Sequence, residues 1–353
     1  MQINKNYWGS SIRALLTLLV LFSFLGCGFD SRFQQAYDLK ELKEEGQIQE
    51  GKLESKHREP AIVLLHGLSD KGGLKTLEQK LKMDFPTIPV IALDRDNSET
   101  AGIEEQARTI FAELNRNKEL ADKELILLGD SQGGLVAFSL YDQFHDQLHI
   151  KGLITNHAPW EGTHIANTTD QDIDRLMQNQ MLQGLNGMLG FMQMMASNQP
   201  ADPNFLKNLL KQPLNSYRNT KGVEDLKPNS LFLQKVKAKL PNIQIPILAI
   251  AGHNIEIKTA LVQLFGLPTE FMSFINTMDF GSVETDWANF IGSDHSVNHD
   301  FLITLSSQLA RNTPKGAKFS EVLIQGYHHY TPLTDQSAYT EITKGIQPYL
   351  ATE

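Results

Sequence analysis

From Pro60 to Pro159 the chain alternates between short unbroken apolar runs and longer segments in which apolar residues recur every three or four positions. The runs AIVLLHG (61–67), PVIALDR (89–95), ELILLGDS (124–131) and HIKGLITNHAP (149–159) have the length and aliphatic content of strands covered on both faces. Between them, LKTLEQKLKMD (74–84), IEEQARTIFAELNRN (103–117) and LVAFSLYDQFHDQ (135–147) carry helical spacing. Strand and helix alternating in this way predict an α/β protein, a mostly parallel, doubly wound sheet with helices on both faces. The strand signal returns at IPILAIAG (245–252) and EVLIQG (321–326), and residues 338–350 read as a closing helix.

The rhythm breaks between about 165 and 240, where no strand pattern is present and Ile173, Met177, Met181, Leu185, Met188, Leu189, Met192 and Met195 follow helical spacing. Six of the ten methionines fall between 177 and 195, a concentration of flexible thioethers that suits either a core stripe or a lid over a greasy, variable ligand. On the second reading Met177, Met181, Leu185 and Met192 line an acyl pocket. Ala260–Ile275 is a further strongly apolar stretch.

Ser131 sits where the ELILLGDS strand meets the following helix, in the sequence Gly129-Asp130-Ser131-Gln132-Gly133. This GxSxG spacing puts a serine on a strained turn with its hydroxyl above the carboxyl edge of the sheet, while the glycines let strand and helix approach without a clashing Cβ. A nucleophile is the functional reading, and a tight turn with an idle serine is the alternative.

With these features the chain resembles the α/β-hydrolase family, its lipase and esterase branch in particular. His66-Gly67 closes a hydrophobic strand as the HG pair does in lipases, and the resemblance implies an oxyanion hole made by the amides of Leu68 and Gln132, with His66 supporting the loop. Tyr327-His328-His329-Tyr330-Thr331-Pro332-Leu333 is similar to the lipase GxxHxxPL loop, which makes His329 the implied base and His328 its competitor. For the acid, Gly292-Ser293-Asp294-His295-Ser296-Val297 resembles the D-G-x-V loop, so Asp294 is the first choice, ahead of Asp300 and Glu256. Ala158-Pro159-Trp160-Glu161-Gly162-Thr163 is similar to the TPHxG[ST] segment of lipases, with Trp160 in place of histidine, either flooring the acyl pocket or simply core. The implied fold is an α/β-hydrolase with a helical cap inserted at about 165–240.

The first 26 residues differ in kind from the rest. Lys5 and Arg13 precede the apolar run ALLTLLVLFSFL (14–25), too short for the roughly 20 residues of a spanning helix and fitted to a secretory leader. Cys27, the one cysteine in the chain, follows at once, and FLGC resembles a bacterial lipobox; the implication is a signal peptide (1–26), lipidation at Cys27, a polar tether (27–58) and a hydrolase domain (59–353) held at the cell envelope, in the outer membrane or else secreted. With one cysteine there is no internal disulfide to form. The formal charge is −9, and loss of the leader removes two cations and no acid. No basic run offers a phosphate-binding surface, which excludes nucleic acid as a partner. No HExxH motif or clustered His and Asp pattern asks for a metal, and the chemistry needs no cofactor.

These readings converge on a serine hydrolase cleaving carboxylic esters of lipids through an acyl-enzyme on Ser131. Thioesters, phospholipids, acyl transfer to an alcohol and a non-catalytic lipid-binding scaffold are the alternatives.

Overall fold

The computed structural model describes residues 58–350 apart from 71, 121, 198–199, 209, 212–217, 265–274 and 295–297. The leader, Cys27 and the tether through residue 57 lie outside the described residues. Six parallel strands form one sheet: β1 (Pro60–Leu65), β2 (Val90–Leu93), β3 (Glu124–Asp130), β4 (Ile150–Asn156), β5 (Ile247–His253) and β6 (Phe319–Gln325), in the order β2-β1-β3-β4-β5-β6. All six overlap the apolar runs; the central β1, β3, β4 and β5 are covered on both faces and so are near-continuously hydrophobic, whereas the edge strand β6 alternates half-buried and exposed residues.

The faces divide with period two. Ala61, Val63 and Leu65 of β1 pack with Ile103, Ala107, Ile110 and Leu114 of the helix Ile103–Arg116 and with Leu135–Tyr141 of the helix Gln132–Phe144. Ile62 and Leu64 face the other way, onto Leu77 and Leu81 of the helix Lys75–Asp84 and Ala338, Ile342 and Ile346 of the helix Gln336–Ile346. Each such fully buried aliphatic contributes about 1.5–3 kcal/mol of transfer free energy, so the central strands are fixed before any polar contact is counted. The order of the strands, with a sharp turn from β3 into its helix, is that of the α/β-hydrolase fold.

The insertion expected as one unit over 165–240 divides in two. Its first part, with Leu176, Leu182, Leu185, Leu189 and Leu206, joins Ile255, Ile257, Phe280, Val283, Trp287, Ile291 and Phe301 in an apolar cluster separate from both sheet faces. Its second part, with Val223, Leu226, Phe232, Leu233, Val236 and Leu240, packs under the sheet in the main core. The separate cluster therefore draws on segments both before and after β5, and helical spacing alone cannot show which face of the molecule a helix will cover. Among the described residues no helix is long and apolar enough to cross a membrane.

Candidate active site

The carboxyl ends of the strands gather the polar side chains, as expected of a parallel sheet. Ser131 follows β3 at φ 50° and ψ −123°, a conformation rarely adopted by a side-chain-bearing residue, and is held there by its amide donating to the Asn156 carbonyl at 2.8 Å. The turn tolerates nothing larger beside it: a Cβ on Gly133 would stand 2.0 Å from the Leu65 carbonyl oxygen, and one on Gly129 would stand 2.4 Å from the Gly133 backbone. Strand β3, the elbow and the helix behind it are thus locked against β1, and the hydroxyl-bearing residue is left partly open at the sheet edge.

Gln132 is the first residue of the helix, so its amide has no acceptor within the helix. Its side chain is buried and donates to the carbonyls of Ser98 (3.1 Å) and Gly222 (3.2 Å). Its Oε1 accepts from Nη1 of Arg95 at 3.3 Å, and Nη2 of the same guanidinium reaches the Gly67 carbonyl at 3.5 Å. Arg95 is buried, and burial pushes its guanidinium down to about 10. His66 Nε2 accepts from the Arg95 amide at 2.8 Å, which places its proton on Nδ1, facing the Gly67 carbonyl at 2.6 Å. The loop carrying Leu68 and the helix start carrying Gln132 are therefore tied together through one arginine. Sequence reasoning missed Arg95; its signal was a lone cation at the end of an apolar strand.

After β6 the backbone bends through Gly326 at φ 72° and presents His328 and His329. His329 Nδ1 donates to Asp300 Oδ2 at 2.8 Å, and the His329 amide donates to the Asp300 carbonyl at 2.7 Å. A carboxylate only accepts, so Nδ1 carries the proton and Nε2 is left as a base. Burial is the strongest single influence and works against the imidazolium, but the charge and hydrogen bond of Asp300, with Asp130, the residue before Ser131, and Asp70, together raise His329 above its ordinary value. The ring keeps 12 % of its side-chain surface open while Asp300 keeps none. His328 turns elsewhere: its Nδ1 accepts from the Tyr330 amide at 3.2 Å, and burial lowers its pKa.

The carboxylate that meets His329 is Asp300, and this corrects the first choice of Asp294. Asp294 lies exposed just beyond the helix Gly281–Ile291, and Glu256 is exposed and pairs with Lys258 at 3.2 Å. Asp300 succeeds because its turn folds under the histidine loop: Oδ1 accepts from the amides of Leu302 (2.9 Å) and Ile303 (2.7 Å), leaving Oδ2 for the imidazoles. Burial would raise this carboxyl, but the two imidazoles beside it hold it well below the usual carboxylate range.

The second imidazole is His157, which sequence reasoning left unassigned. It follows β4 at φ 51°, as Ser131 follows β3, and that shared place at the carboxyl edge was the signal available. Its Nδ1 lies 2.8 Å from Asp300 Oδ2 and 3.0 Å from Gln308 Oε1. His157, Asp300 and His329 bring ligand-type atoms within 4.8 Å of one another, but Nδ1 of both rings and Oδ2 are already spent on hydrogen bonds among themselves.

Trp160 belongs to the core. It is 1 % exposed and packs edge-on against Phe138 and Phe319, with ring centroids at 5.7 and 5.8 Å, within the main core cluster. Leu185, also 1 % exposed, is an interior residue of the cap cluster, with Met177 and Met181 packed against it partly buried. The Met192 side chain lies outside the described residues.

The palmitoyl protein thioesterase family matches residues 61–258, more than half of the chain. The chain belongs to the palmitoyl protein thioesterase family. The matched span includes the β1 loop, the Ser131 elbow and His157 and ends before Asp300 and His329, so for those two residues the palmitoyl protein thioesterase match is silent and the geometry above stands by itself. Among solved structures, the mature lipase BlEst2 of Bacillus licheniformis is similar at 13 % identity over 84 % of this chain and 95 % of that one, with a TM-score of 0.42. A monoacylglycerol lipase of Paleococcus ferrophilus is similar at 14 % identity over 83 % and 95 %, with a TM-score of 0.43. Phospholipase PlaB from Legionella pneumophila is similar at 15 % identity over 56 % and 40 %, with a TM-score of 0.36. No curated protein matches the chain.

Proposed function

We propose that the protein is a serine hydrolase of long-chain acyl esters, working through an acyl-enzyme on Ser131. The observation that carries this reading is the buried Asp300–His329 pair, with His329 electrostatically coupled to Asp130, the residue before the strained serine. His329 Nε2 takes the proton of the Ser131 hydroxyl as Oγ bonds to the substrate carbonyl carbon. The resulting oxyanion is held by the amides of Leu68 and Gln132, whose loop and helix start Arg95 joins. Collapse breaks the ester C–O bond, and His329 returns the proton to the leaving alcohol. Water then attacks the acyl-serine with its proton passing to His329, and the free fatty acid departs as Oγ is reprotonated.

The family match favours a second reading in which the broken bond is a thioester C–S bond, with the same residues in the same roles. The cap cluster, rich in Leu, Met and Phe, supports an apolar acyl chain in either case. A fluorophosphonate probe tests the common step: labelling is expected in the unsubstituted protein and lost in Ser131→Ala, and an unlabelled native protein sinks the reading in favour of a lipid-binding scaffold. A chain-length series of p-nitrophenyl esters beside the matching acyl thioesters separates ester from thioester preference. Cys27 after a short apolar run supports attachment to the envelope through a lipid on that residue, in the outer membrane rather than secreted free. Metabolic labelling with palmitate, abolished in Cys27→Ala, is the expected result, and equal labelling of both forms rejects it.

A further inference from the structure

Asp300 Oδ2 serves two imidazoles at the same distance. His329 and His157 each place Nδ1 2.8 Å from it, their rings 5.2 Å apart centre to centre and tilted by 45°. His157 is itself clamped. Its ring stacks on Tyr327 at 4.4 Å, and its Nδ1 also faces Oε1 of Gln308. That Gln308 oxygen is oriented, because the amide nitrogen of the same side chain donates to the carbonyls of Gly252 (3.2 Å) and Ile303 (3.0 Å) while Oε1 accepts from the Gly252 amide (2.9 Å). Both atoms facing His157 Nδ1 are thus acceptors, and Nδ1 must carry a proton.

We propose that His157 is a positioning residue of the hydrolysis: its Nδ1–H holds Asp300 Oδ2 in place for His329 and shares that oxygen's negative charge. The inference rests on the proposed role of Ser131 and His329. Oδ1 is pinned by two backbone amides, so without His157 the carboxylate pivots about that pinned oxygen, and Oδ2 loses the donor that fixes its distance to His329. With one donor fewer, more of the carboxylate charge falls on His329, and the imidazolium becomes easier to form. The titratable groups that face the two rings are Asp300, His328, Tyr327, Tyr330, Asp130 and Asp70, and His157→Phe leaves all six in place.

The test compares His157→Phe, which keeps a flat ring against Tyr327 but has no donor, with His157→Asn, whose amide nitrogen sits where Nδ1 does and which accepts a positive φ readily. Using a p-nitrophenyl ester found to be turned over by the native enzyme, His157→Phe is expected to lose about 30-fold in kcat with KM little changed. The acid limb of its kcat/KM profile moves to higher pH, and His157→Asn recovers to within about threefold of native kcat. A His157→Phe profile that overlays the native one, or a His157→Asn variant as impaired as the phenylalanine form, overturns the proposal. Nitrogen–proton correlation spectra of the unsubstituted protein decide it independently of how the variants fold: His157 in the Nδ1–H form supports the proposal and the Nε2–H form ends it. A native protein with no esterase or thioesterase activity and no fluorophosphonate labelling instead marks failure of the Ser131 reading, so the two failures are told apart.

Discussion

Replacing Asp300 by Asn separates the two carboxylates that compete for the role of acid. The native carboxylate accepts four hydrogen bonds, two backbone amides on Oδ1 and two imidazoles on Oδ2, and it is wholly buried. An asparagine has one oxygen and one NH2 for those four donors. If the oxygen stays with the amides of Leu302 and Ile303, the NH2 points at both rings and donates to His329 Nδ1, which forces the ring proton onto Nε2. A ring protonated there cannot accept from Ser131, and a tautomer reversed in this way costs about 10⁴ in kcat, or about 5.5 kcal/mol of barrier. If the amide flips, its NH2 meets two backbone donors and the turn itself is broken. Stability falls as well, by about 3–5 kcal/mol, because a buried charged network loses its one anion. Asp294→Asn, at an exposed site, is expected within twofold of native in both respects. Steady-state hydrolysis of a p-nitrophenyl ester, with thermal melting on the same samples, reads both effects. An Asp300→Asn enzyme within tenfold of native, or an Asp294→Asn enzyme down a hundredfold, refutes the assignment.

Two further expectations follow from the site. Asp70 is pushed up to about 6 by partial burial and by Asp130, and its anion favours the imidazolium of His329. Asp70→Asn therefore makes His329 easier to deprotonate and moves the acid limb of kcat/KM down by about 0.3 in pH at low salt; a limb that stays or rises contradicts the coupling. Trp160→Phe removes part of a ring wedged between Phe138 and Phe319, and since its Nε1 has no partner the loss is one of packing, about 1–3 kcal/mol. The melting temperature should fall while the chain-length profile on p-nitrophenyl esters keeps its shape; a shifted optimum would place this residue in the acyl pocket after all.

The strands and the elbow were legible because each is a local statement. A doubly covered strand needs an apolar run, and a φ of 50° beside close-packed backbone needs glycine neighbours. That His329 follows the last strand is legible in the chain itself. Which carboxylate meets it is not, because nothing periodic fixes where a loop returns: Asp294 and Asp300 lie six residues apart in the same connection, and only the fold of the turn around Phe301 decides which one passes beneath His329. His157 carries no motif signal of its own. It adjoins a segment similar to a known motif without being one of that motif's residues, and lies three residues before Trp160. Residues 165–240 look like one unit in sequence because helical spacing records that a face is apolar and not which core it joins.

Phe301, next to Asp300, is 2 % exposed at φ 92°, its ring lies 4.3 Å from that of Trp287, and its carbonyl accepts from Trp287 Nε1 at 2.9 Å. Trp287 belongs to the helix Gly281–Ile291, so the separate apolar cluster and the turn that carries Asp300 share one rivet. A substitution that unseats Trp287 therefore strips a donor from the backbone beside Asp300 as well as a ring from the cluster.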